Sequence, residues 1–182
     1  YCGRLWWMLK WLGHDNVAVL DGGLQAWQAA GGAVSNGPEA AINQSNYAPA
    51  PVGYAQATIE TVAKNLGRTS QTLIDARGAS RFRGEVEPLD PVAGHIPGAL
   101  NRPFTANFGA DGKFKPAEQL RTEFLALLGD RDPATVVHHC GSGVSAVPNL
   151  LAMEVAGLGR TALFAGSWSE WCNNPKYPVA KG

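Results

Sequence analysis

A glycine-rich turn between a strand-like run and a helix is the feature that most constrains how this chain folds. Residues 135–137 are Thr-Val-Val, a β-branched run that is typical of a buried strand. The sequence His-His-Cys-Gly-Ser-Gly-Val-Ser-Ala follows at residues 138–146, and residues 146–156 then carry apolar side chains at helical spacing. This order predicts a strand, a tight turn and a helix, with Cys140 at the carboxyl end of the strand.

The turn at Cys140 predicts a cradle for an anion. Gly141 and Gly143 permit a sharp turn whose exposed backbone N–H groups, from Gly141 to Ser145, point at its centre. Together with the positive end of the following helix, they favour negative charge there. The same field favours the thiolate of Cys140 and makes it a nucleophile. The alternative, a small core residue after a buried strand, does not explain two flanking glycines.

Composition excludes several classes of protein. The 182 residues contain 15 Lys and Arg and 15 Asp and Glu, so no basic field recruits nucleic acid or an acidic membrane surface. No run approaches the ~18 apolar residues of a membrane span. The tryptophan-rich stretch at residues 5–12 is too short and is interrupted by Lys10, so it is interpreted as a core helix. The three cysteines have neither zinc-site spacing nor an even count for disulfides, which favours a reducing compartment, with the cytoplasm as the expected one. The expected partners are small molecules or proteins.

Predicted strands and helices alternate through most of the chain, which predicts a parallel sheet with helices on both faces. A long polar loop is expected at residues 76–93. Because ligands bind at the carboxyl ends of parallel strands, the loop after Asp75 should face the Cys140 loop. The expected helices lie at residues 57–65, 116–128, 146–156 and 168–171, and the expected strands at residues 72–75, near residue 100, directly before Cys140 and at residues 161–164.

An internal repeat links the two ends of the chain. Residues 19–27 align with residues 163–171 at an offset of 144 positions, so that Trp27 pairs with Trp171. The same offset places the apolar stretch at residues 5–12 on the helix that follows Cys140. We therefore expect two copies of one unit, the first of which has lost its equivalent of the Cys140 loop and everything before it.

Three further motifs accompany the Cys140 loop. Asp-Ala-Arg at residues 75–77 is followed by Arg-Phe-Arg-Gly at residues 81–84, Gly-His-Ile-Pro-Gly-Ala occupies residues 94–99, and Gly-Ser-Trp-Ser-Glu-Trp occupies residues 166–171. In combination these motifs resemble the catalytic domain of tandem rhodanese-type sulfurtransferases over residues 53–180. Within that family, an uncharged Cys-Gly-Ser-Gly-Val-Ser-Ala loop is typical of 3-mercaptopyruvate sulfurtransferases, whereas thiosulfate-preferring rhodaneses usually carry basic loop side chains.

The resemblance also implies an architecture. The fold would be a rhodanese-like parallel sheet with helices on both faces, formed by a catalytic domain at residues 53–182. Residues 1–36 would be the carboxyl-terminal remnant of a noncatalytic rhodanese-like domain, and residues 37–52, rich in Gly, Ala, Asn and Pro, a linker. With most of that first domain upstream of the chain, its helix should expose an apolar face formed by Leu5, Trp6, Trp7 and Trp11.

The chemistry that the resemblance implies is sulfur transfer without a cofactor or metal. Cys140 would take a sulfane sulfur from 3-mercaptopyruvate or thiosulfate, hold it as a persulfide and pass it to a thiol or cyanide. The acceptor, for which thioredoxin, glutathione, cyanide and a protein thiol are candidates, stays open. Ser142 would donate a hydrogen bond or relay a proton to the leaving enolate, or simply form the turn. The amides that would stabilise the sulfur belong to Gly141, Ser142, Gly143, Val144 and Ser145.

Arginines after Asp75 would bind the donor. Arg81 matches the family arginine that holds the mercaptopyruvate carboxylate, with Arg77 or Arg83 either assisting or forming salt bridges. Some mercaptopyruvate enzymes carry a second arginine after the Glu-Pro of this loop, where this chain has Leu89. The family also completes its cleft with groups from the amino-terminal domain, so we expect this chain to be a weaker transferase than one that has both domains.

Two rival chemistries are weaker. A cysteine-dependent phosphatase needs an arginine six residues after Cys140, where this chain has Ala146. A metal site built from His138, His139, Cys140 and Cys172 is disfavoured because adjacent strand residues point to opposite faces. Neither reading explains the turn as well as sulfur transfer does.

A non-enzymatic alternative is a sulfur-carrier or regulatory binding module, as inactive members of the family are. Retention of Cys140 argues against it. Among the remaining polar residues, His139 is interpreted as a packed strand residue rather than a base, and His95 as holding its turn by hydrogen bonding. Cys172 is interpreted as a partly buried, inert thiol beside Trp171.

Overall fold

A five-stranded parallel sheet organises the computed structural model, which describes residues 2–38, 40, 46–50 and 53–182. The strands run in the order β1-β5-β4-β2-β3, and every neighbouring pair is parallel. This confirms the predicted α/β class. The strands are β1 (Gln56–Ala57), β2 (Thr72–Asp75), β3 (Leu100–Asn101), β4 (Val136–His139) and β5 (Ala162–Phe164).

Seven helices surround the sheet among the described residues, together with two short 3-10 helices at Phe104–Asn107 and Pro133–Thr135. Among these residues, no helix has the length and apolar character needed to cross a membrane. The helices are α1 (Cys2–Trp11), α2 (Gly23–Ala29), α3 (Ile59–Lys64), α4 (Ala79–Phe82), α5 (Ala117–Leu128), α6 (Val147–Val155) and α7 (Ser167–Cys172).

Both faces of the sheet are covered by apolar clusters because successive strand residues point in opposite directions. On one face, Leu73, Val137 and Phe164 pack with Trp168 and Trp171 of α7. On the other face, the neighbouring residues of β2 and β4 pack against α5 and α6. All four residues of β2 and all four of β4 are buried, as expected for parallel strands that are covered on both faces.

The register of β2 and β4 positions the site. Asp75 pairs with His139, and the N–H of Ala76 donates to the carbonyl of His139 across 2.8 Å. The two strands therefore end side by side. The loop after Asp75 faces the Cys140 loop, as the sequence predicts.

Two local predictions are wrong or incomplete. The segment at residues 76–93, expected to be a loop, contains α4, a single turn of helix that follows Gly78 and ends before Gly84, whose φ is +74°. β1 was not expected, because a two-residue strand is too short to show any periodicity. The other predicted elements are present, with bounds shifted by one or two residues.

The amino-terminal helix is buried against the domain. Trp6 and Trp7 are nearly inaccessible and pack in one cluster with α6, and Tyr54 meets Trp6 edge-on at 5.5 Å. The expected exposed apolar face is therefore wrong for both tryptophans, which α6 covers, and the interpretation of this stretch as a core helix holds for them. Leu5 is exposed and Trp11 is half-buried. Residues 39, 41–45, 51 and 52 of the predicted linker lie outside the described residues, and the division of the chain into a remnant and a catalytic domain stays a prediction.

Candidate active site

Cys140 directly follows β4, and its backbone bonds to the start of α7. Its backbone carbonyl accepts from the N–H of Trp168 at 3.0 Å, and its own N–H donates to the hydroxyl of Ser167 at 3.1 Å. The carbonyl of Gly141 accepts in turn from Ser169 at 2.9 Å. These bonds fix the turn against α7, and only 1% of Cys140 is exposed.

The turn after Cys140 leaves its backbone donors free. Within the described part of the chain, none of the N–H groups at residues 141–146 donates to a protein acceptor. Gly143 has a φ of +73°, and a Cβ there would lie 2.3 Å from the carbonyl oxygen of Ala165, so only glycine fits. α6 begins directly afterwards and adds its positive end. The arrangement is the anion cradle that the sequence predicts.

A cavity of about 370 Å³ opens on this cradle. Phe104, Leu89 and Pro148 give it apolar walls, while Arg4, Arg81 and Asp90 bring charge to it. Cys140 and Gly143 lie behind the lining residues rather than among them. The cradle contributes Gly141, Ser142, Val144 and Ser145 to the lining.

Arg81 reaches the cavity with one edge of its guanidinium free. Its Nε and Nη2 donate to Glu87, at 3.2 and 2.5 Å, and Nη2 also lies 3.4 Å from Asp90. Its Nη1 has no acceptor among the described residues and lies 3.6 Å from the position that a Cβ would take on Gly141. A carboxylate in the cavity could therefore bond to Nη1, which agrees with the expected placement of Arg81.

Arg77 does not reach the cavity. Its guanidinium is buried and donates to both oxygens of Asp75, to Glu87 and to the carbonyl of Gly94. It also stacks over the ring of Trp168 at 4.7 Å. Every guanidinium nitrogen of Arg77 has an acceptor, so its contacts are those of the salt-bridge alternative rather than of a residue that assists in substrate binding.

Arg83 is equally remote from the cavity. Its exposed side chain pairs with Glu85 at 2.6 Å, and it is absent from the cavity lining. Of the three arginines in the motif, only Arg81 is placed to meet a ligand.

Glu87 is a site residue that sequence reasoning missed. It bridges Arg77 and Arg81 and also accepts from the N–H groups of Leu89 and Asp90. Burial alone would raise its pKa, but these hydrogen bonds, led by that from Arg81, lower the pKa below the ordinary value and keep it a carboxylate. It orients Arg81. A glutamate six residues from an arginine gives no sequence signal of this contact.

The two histidines before Cys140 are structural. His138 contacts the sulfur of Met153 at 3.2 Å, whereas His139 faces Asp75 at 4.0 Å. Burial lowers the pKa of His138 to about 3 and lowers that of His139 as well, against the opposing charge of Asp75. Neither lines the cavity. Among the described residues, no group of three or more metal-ligating side chains is present.

The other two polar candidates are placed as the sequence suggests. His95 bonds to the carbonyl of Phe82 at 2.8 Å and stacks on that ring, which holds its turn. Burial raises the pKa of the Cys172 thiol, and the charge of Asp90 adds to the effect, so this thiol stays protonated.

Comparisons with known proteins agree with this geometry. The family model described as the rhodanese-like domain matches residues 58–174. The chain is 49% identical to the "Probable 3-mercaptopyruvate sulfurtransferase" of Pseudomonas aeruginosa over its whole length and 64% of that protein. It is 42% identical to the "Putative thiosulfate sulfurtransferase SseB" of Mycobacterium tuberculosis, over 98% of the chain and 62% of that protein.

More distant relatives show the same coverage. The chain is 36% identical to the 3-mercaptopyruvate sulfurtransferase of Homo sapiens, over 92% of the chain and 57% of that protein. It thus spans less than two thirds of the length of these relatives. A solved structure of the anaerobic ergothioneine biosynthesis enzyme from Chlorobium limicola superposes with a TM-score of 0.86 at 24% identity, covering 99% of this chain and 45% of that one. This likeness concerns the fold alone.

Proposed function

This chain belongs to the rhodanese-like domain family, and from that premise we propose that it transfers a sulfane sulfur from 3-mercaptopyruvate, through a persulfide on Cys140, to a thiol acceptor. One observation carries the proposal. Cys140 begins a turn whose N–H groups have no acceptor among the described residues, and this turn lines a cavity that Arg81 also lines. The names of the relatives from Pseudomonas aeruginosa and Homo sapiens support the choice of donor.

In the first half-reaction, the thiolate of Cys140 attacks the sulfur of mercaptopyruvate. The new S–S bond forms as the C–S bond breaks, and the electron pair of that bond remains on carbon as the enolate of pyruvate. The enolate takes one proton and leaves as pyruvate. The hydroxyl of Ser142, which lines the cavity, would donate a hydrogen bond to the enolate or relay that proton.

The cradle supplies electrostatic stabilisation through both states of the sulfur. The N–H groups of Gly141, Ser142, Gly143, Val144 and Ser145 would stabilise first the thiolate and then the persulfide anion. Such preorganised donors act without reorganisation at the moment of reaction. The positive end of α6 adds to their field.

Arg81 would hold the carboxylate of the donor. Its Nη1 is free at the edge of the cavity, while Glu87 fixes the opposite edge of the guanidinium. A carboxylate paired to a fixed guanidinium is positioned as well as bound, which orients the C–S bond toward Cys140.

In the second half-reaction, an acceptor thiolate attacks the outer sulfur of the persulfide. That sulfur moves to the acceptor, and Cys140 returns as a thiolate, so no cofactor is needed. Thioredoxin, glutathione, a protein thiol and cyanide all have the required nucleophile. The cytoplasm, as a reducing compartment, would keep the acceptor and the free thiols of the chain reduced.

A second candidate donor is thiosulfate. The 42% identity to the SseB protein, named as a thiosulfate sulfurtransferase, favours it. Thiosulfate would leave as sulfite, with the outer sulfur retained on Cys140. Arg81 should contribute differently to the binding of the two donors, because only mercaptopyruvate has a carboxylate for it to hold.

Mass spectrometry of the protein after incubation with each donor tests the proposal. We expect a gain of one sulfur on the peptide that contains Cys140 and no gain in Cys140→Ser. Arg81→Ala should raise KM for mercaptopyruvate by about 10- to 100-fold, from loss of a charge-assisted pair. Arg83→Ala is the matched control and should leave KM unchanged. No sulfur adduct in the parent protein would favour a binding module instead.

A further inference from the structure

Arg4 is a second guanidinium at the cavity, and it comes from outside the segment that matches the family model. It lies on α1, 54 positions before residue 58 where the match begins. Its side chain lines the cavity and donates from Nη1 to the carbonyl of Gly143 at 2.7 Å. The amino-terminal helix therefore contacts the cradle directly.

The bond from Arg4 fixes one peptide plane of the cradle. In a trans peptide, the C=O and the following N–H point in opposite directions, so anchoring the carbonyl of Gly143 directs the N–H of Val144 away from Arg4. Gly143 is held from another side by the backbone of Ala165, which leaves no room for a Cβ. This peptide cannot rotate freely while both contacts persist.

The charge of Arg4 is not neutralised by its neighbours. Among the described residues, no carboxylate lies within ion-pair distance of Arg4, whose second contact is the ring of Trp7 at 5.5 Å. Arg81, by contrast, is paired with both Glu87 and Asp90. Among the described residues, Arg4 is therefore the guanidinium at this cavity whose charge has no carboxylate partner.

We propose that Arg4 is an anion-binding residue of this site: it holds the Gly143–Val144 peptide in the cradle and supplies the uncompensated positive charge that draws anionic reagents to Cys140. Its Nη1 serves the cradle, and its other N–H groups stay available to an anionic group of the donor or acceptor. The role of that anion in sulfur transfer rests on the function proposed above, whereas the attraction of anions does not.

The rates at which Cys140 reacts with iodoacetate and iodoacetamide test this directly. Both reagents alkylate the same thiolate, so their rate ratio cancels its nucleophilicity and reports the local charge. Peptide mass spectrometry assigns the adduct to Cys140 rather than to another cysteine. Arg4→Met should lower the iodoacetate to iodoacetamide ratio about fivefold, because one cation close to the reaction centre is lost. Arg4→Lys keeps the charge and should stay within about twofold of the parent.

Lys10→Met is the matched control, since it removes a cation from the same helix that does not line this cavity. It should leave the ratio unchanged. A ratio in Arg4→Met equal to the parent's would overturn the proposal, and so would a fall in Lys10→Met as large as that in Arg4→Met. Equal slowing with both reagents in Arg4→Met shows a purely structural role and also overturns it.

Sulfur loading measured on the same proteins separates this inference from the proposed function. If the parent protein gains sulfur on Cys140, Arg4→Met should gain it at least fivefold more slowly at subsaturating donor, by the same loss of charge. If the parent gains none while the alkylation ratio still depends on Arg4, the sulfurtransferase proposal fails and the anion-binding role stands.

Discussion

Two regions of this molecule share local structure but differ in their surroundings. At the offset of 144 positions, α1 corresponds to α6 and α2 to α7. The backbone repeats in detail, since Gly23 and Ser167 open the second helix of each pair with φ of +65° and +56°. These matches support the prediction of two copies, and we propose that residues 1–36 are the remnant of the first.

Burial separates the two regions. Trp27 is 44% exposed, whereas its counterpart Trp171 is 0% exposed, and Leu20 is 52% exposed against 1% for Phe164. The sheet accounts for this difference in burial. Phe164 belongs to β5, which lies between β1 and β4. No strand is assigned at residues 2–38. Local sequence is thus sufficient for the turn and the helix, and tertiary packing supplies most of the stability.

Truncation of the paired tryptophans should expose this difference most strongly. Trp171→Ala should lower the free energy of unfolding by about 3–5 kcal/mol, because it opens a cavity in the core and frees the carbonyl of Pro178. Trp27→Ala should cost less than about 1 kcal/mol, because Trp27 is 44% exposed and its indole N–H bonds to the carbonyl of Ala33 at the surface, where water can replace it. Urea unfolding followed by circular dichroism measures both.

Trp171→Phe keeps most of the volume and provides a milder variant if Trp171→Ala does not fold. It should still cost more than Trp27→Ala, from loss of the indole N–H bond and of packing against Tyr177. Equal costs at the two positions would show that the repeated segments are equally important to the fold.

Lowering the pH should reduce the free energy of unfolding through a group in the sheet rather than in the amino-terminal segment. Burial lowers the pKa of His138, in the central strand β4, to about 3. Its neutral form is thus favoured by folding, so its contribution is complete above about pH 6.5 and is lost as the pH falls toward 3. We expect this one group to remove roughly 3 kcal/mol by pH 4.

His138→Leu removes that titration and should flatten the loss of stability between pH 6.5 and 4. His14→Gln, three residues after the end of α1, is the matched histidine variant in the other region. An NMR titration of the histidine ring protons checks the same point without a variant. A His138 signal that titrates near pH 6.5 in the folded protein would contradict the prediction.

Periodicity was sufficient for the elements that bury a face. The apolar spacing of α5 and the β-branched and apolar residues at the centre of β2 and the start of β4 predicted these elements within one or two residues, because burial dictates residue type there. β1 and α4 were not predicted, because segments of two and four residues are too short to show a periodic pattern of apolar residues. The apolar character of residues 5–12 indicated a core helix, but which element covers Trp6 and Trp7 could not be predicted, because α6 is distant in sequence.

The candidate active site, like the fold, has features that the sequence predicted and features that it did not. The glycines around Cys140 signalled the cradle, since a positive φ and a close approach leave a mark in the sequence. The family resemblance singled out Arg81 as the arginine at the cavity, whereas the sequence left open whether Arg77 assists it or forms a salt bridge. The sequence did not indicate the contacts of Arg4 and Glu87. Their partners come close to them only when the chain is folded.

The smallest expected effect comes from the left-handed residue that opens each second helix. Ser167 accepts from the N–H of Cys140 and donates to the carbonyl of Phe164, whereas Gly23 has no side chain to do either. Ser167→Ala should cost about 1–3 kcal/mol through the unpaired buried groups. Ser167→Gly should cost about 1 kcal/mol less than Ser167→Ala, because glycine relieves the backbone strain. Gly23→Ala carries only that strain and should cost about 1 kcal/mol.

Chemical denaturation of the three variants gives the ranking. If Ser167→Ala were no more costly than Gly23→Ala, the hydroxyl of Ser167 would contribute nothing to holding the Cys140 turn, and the two regions would differ in burial alone.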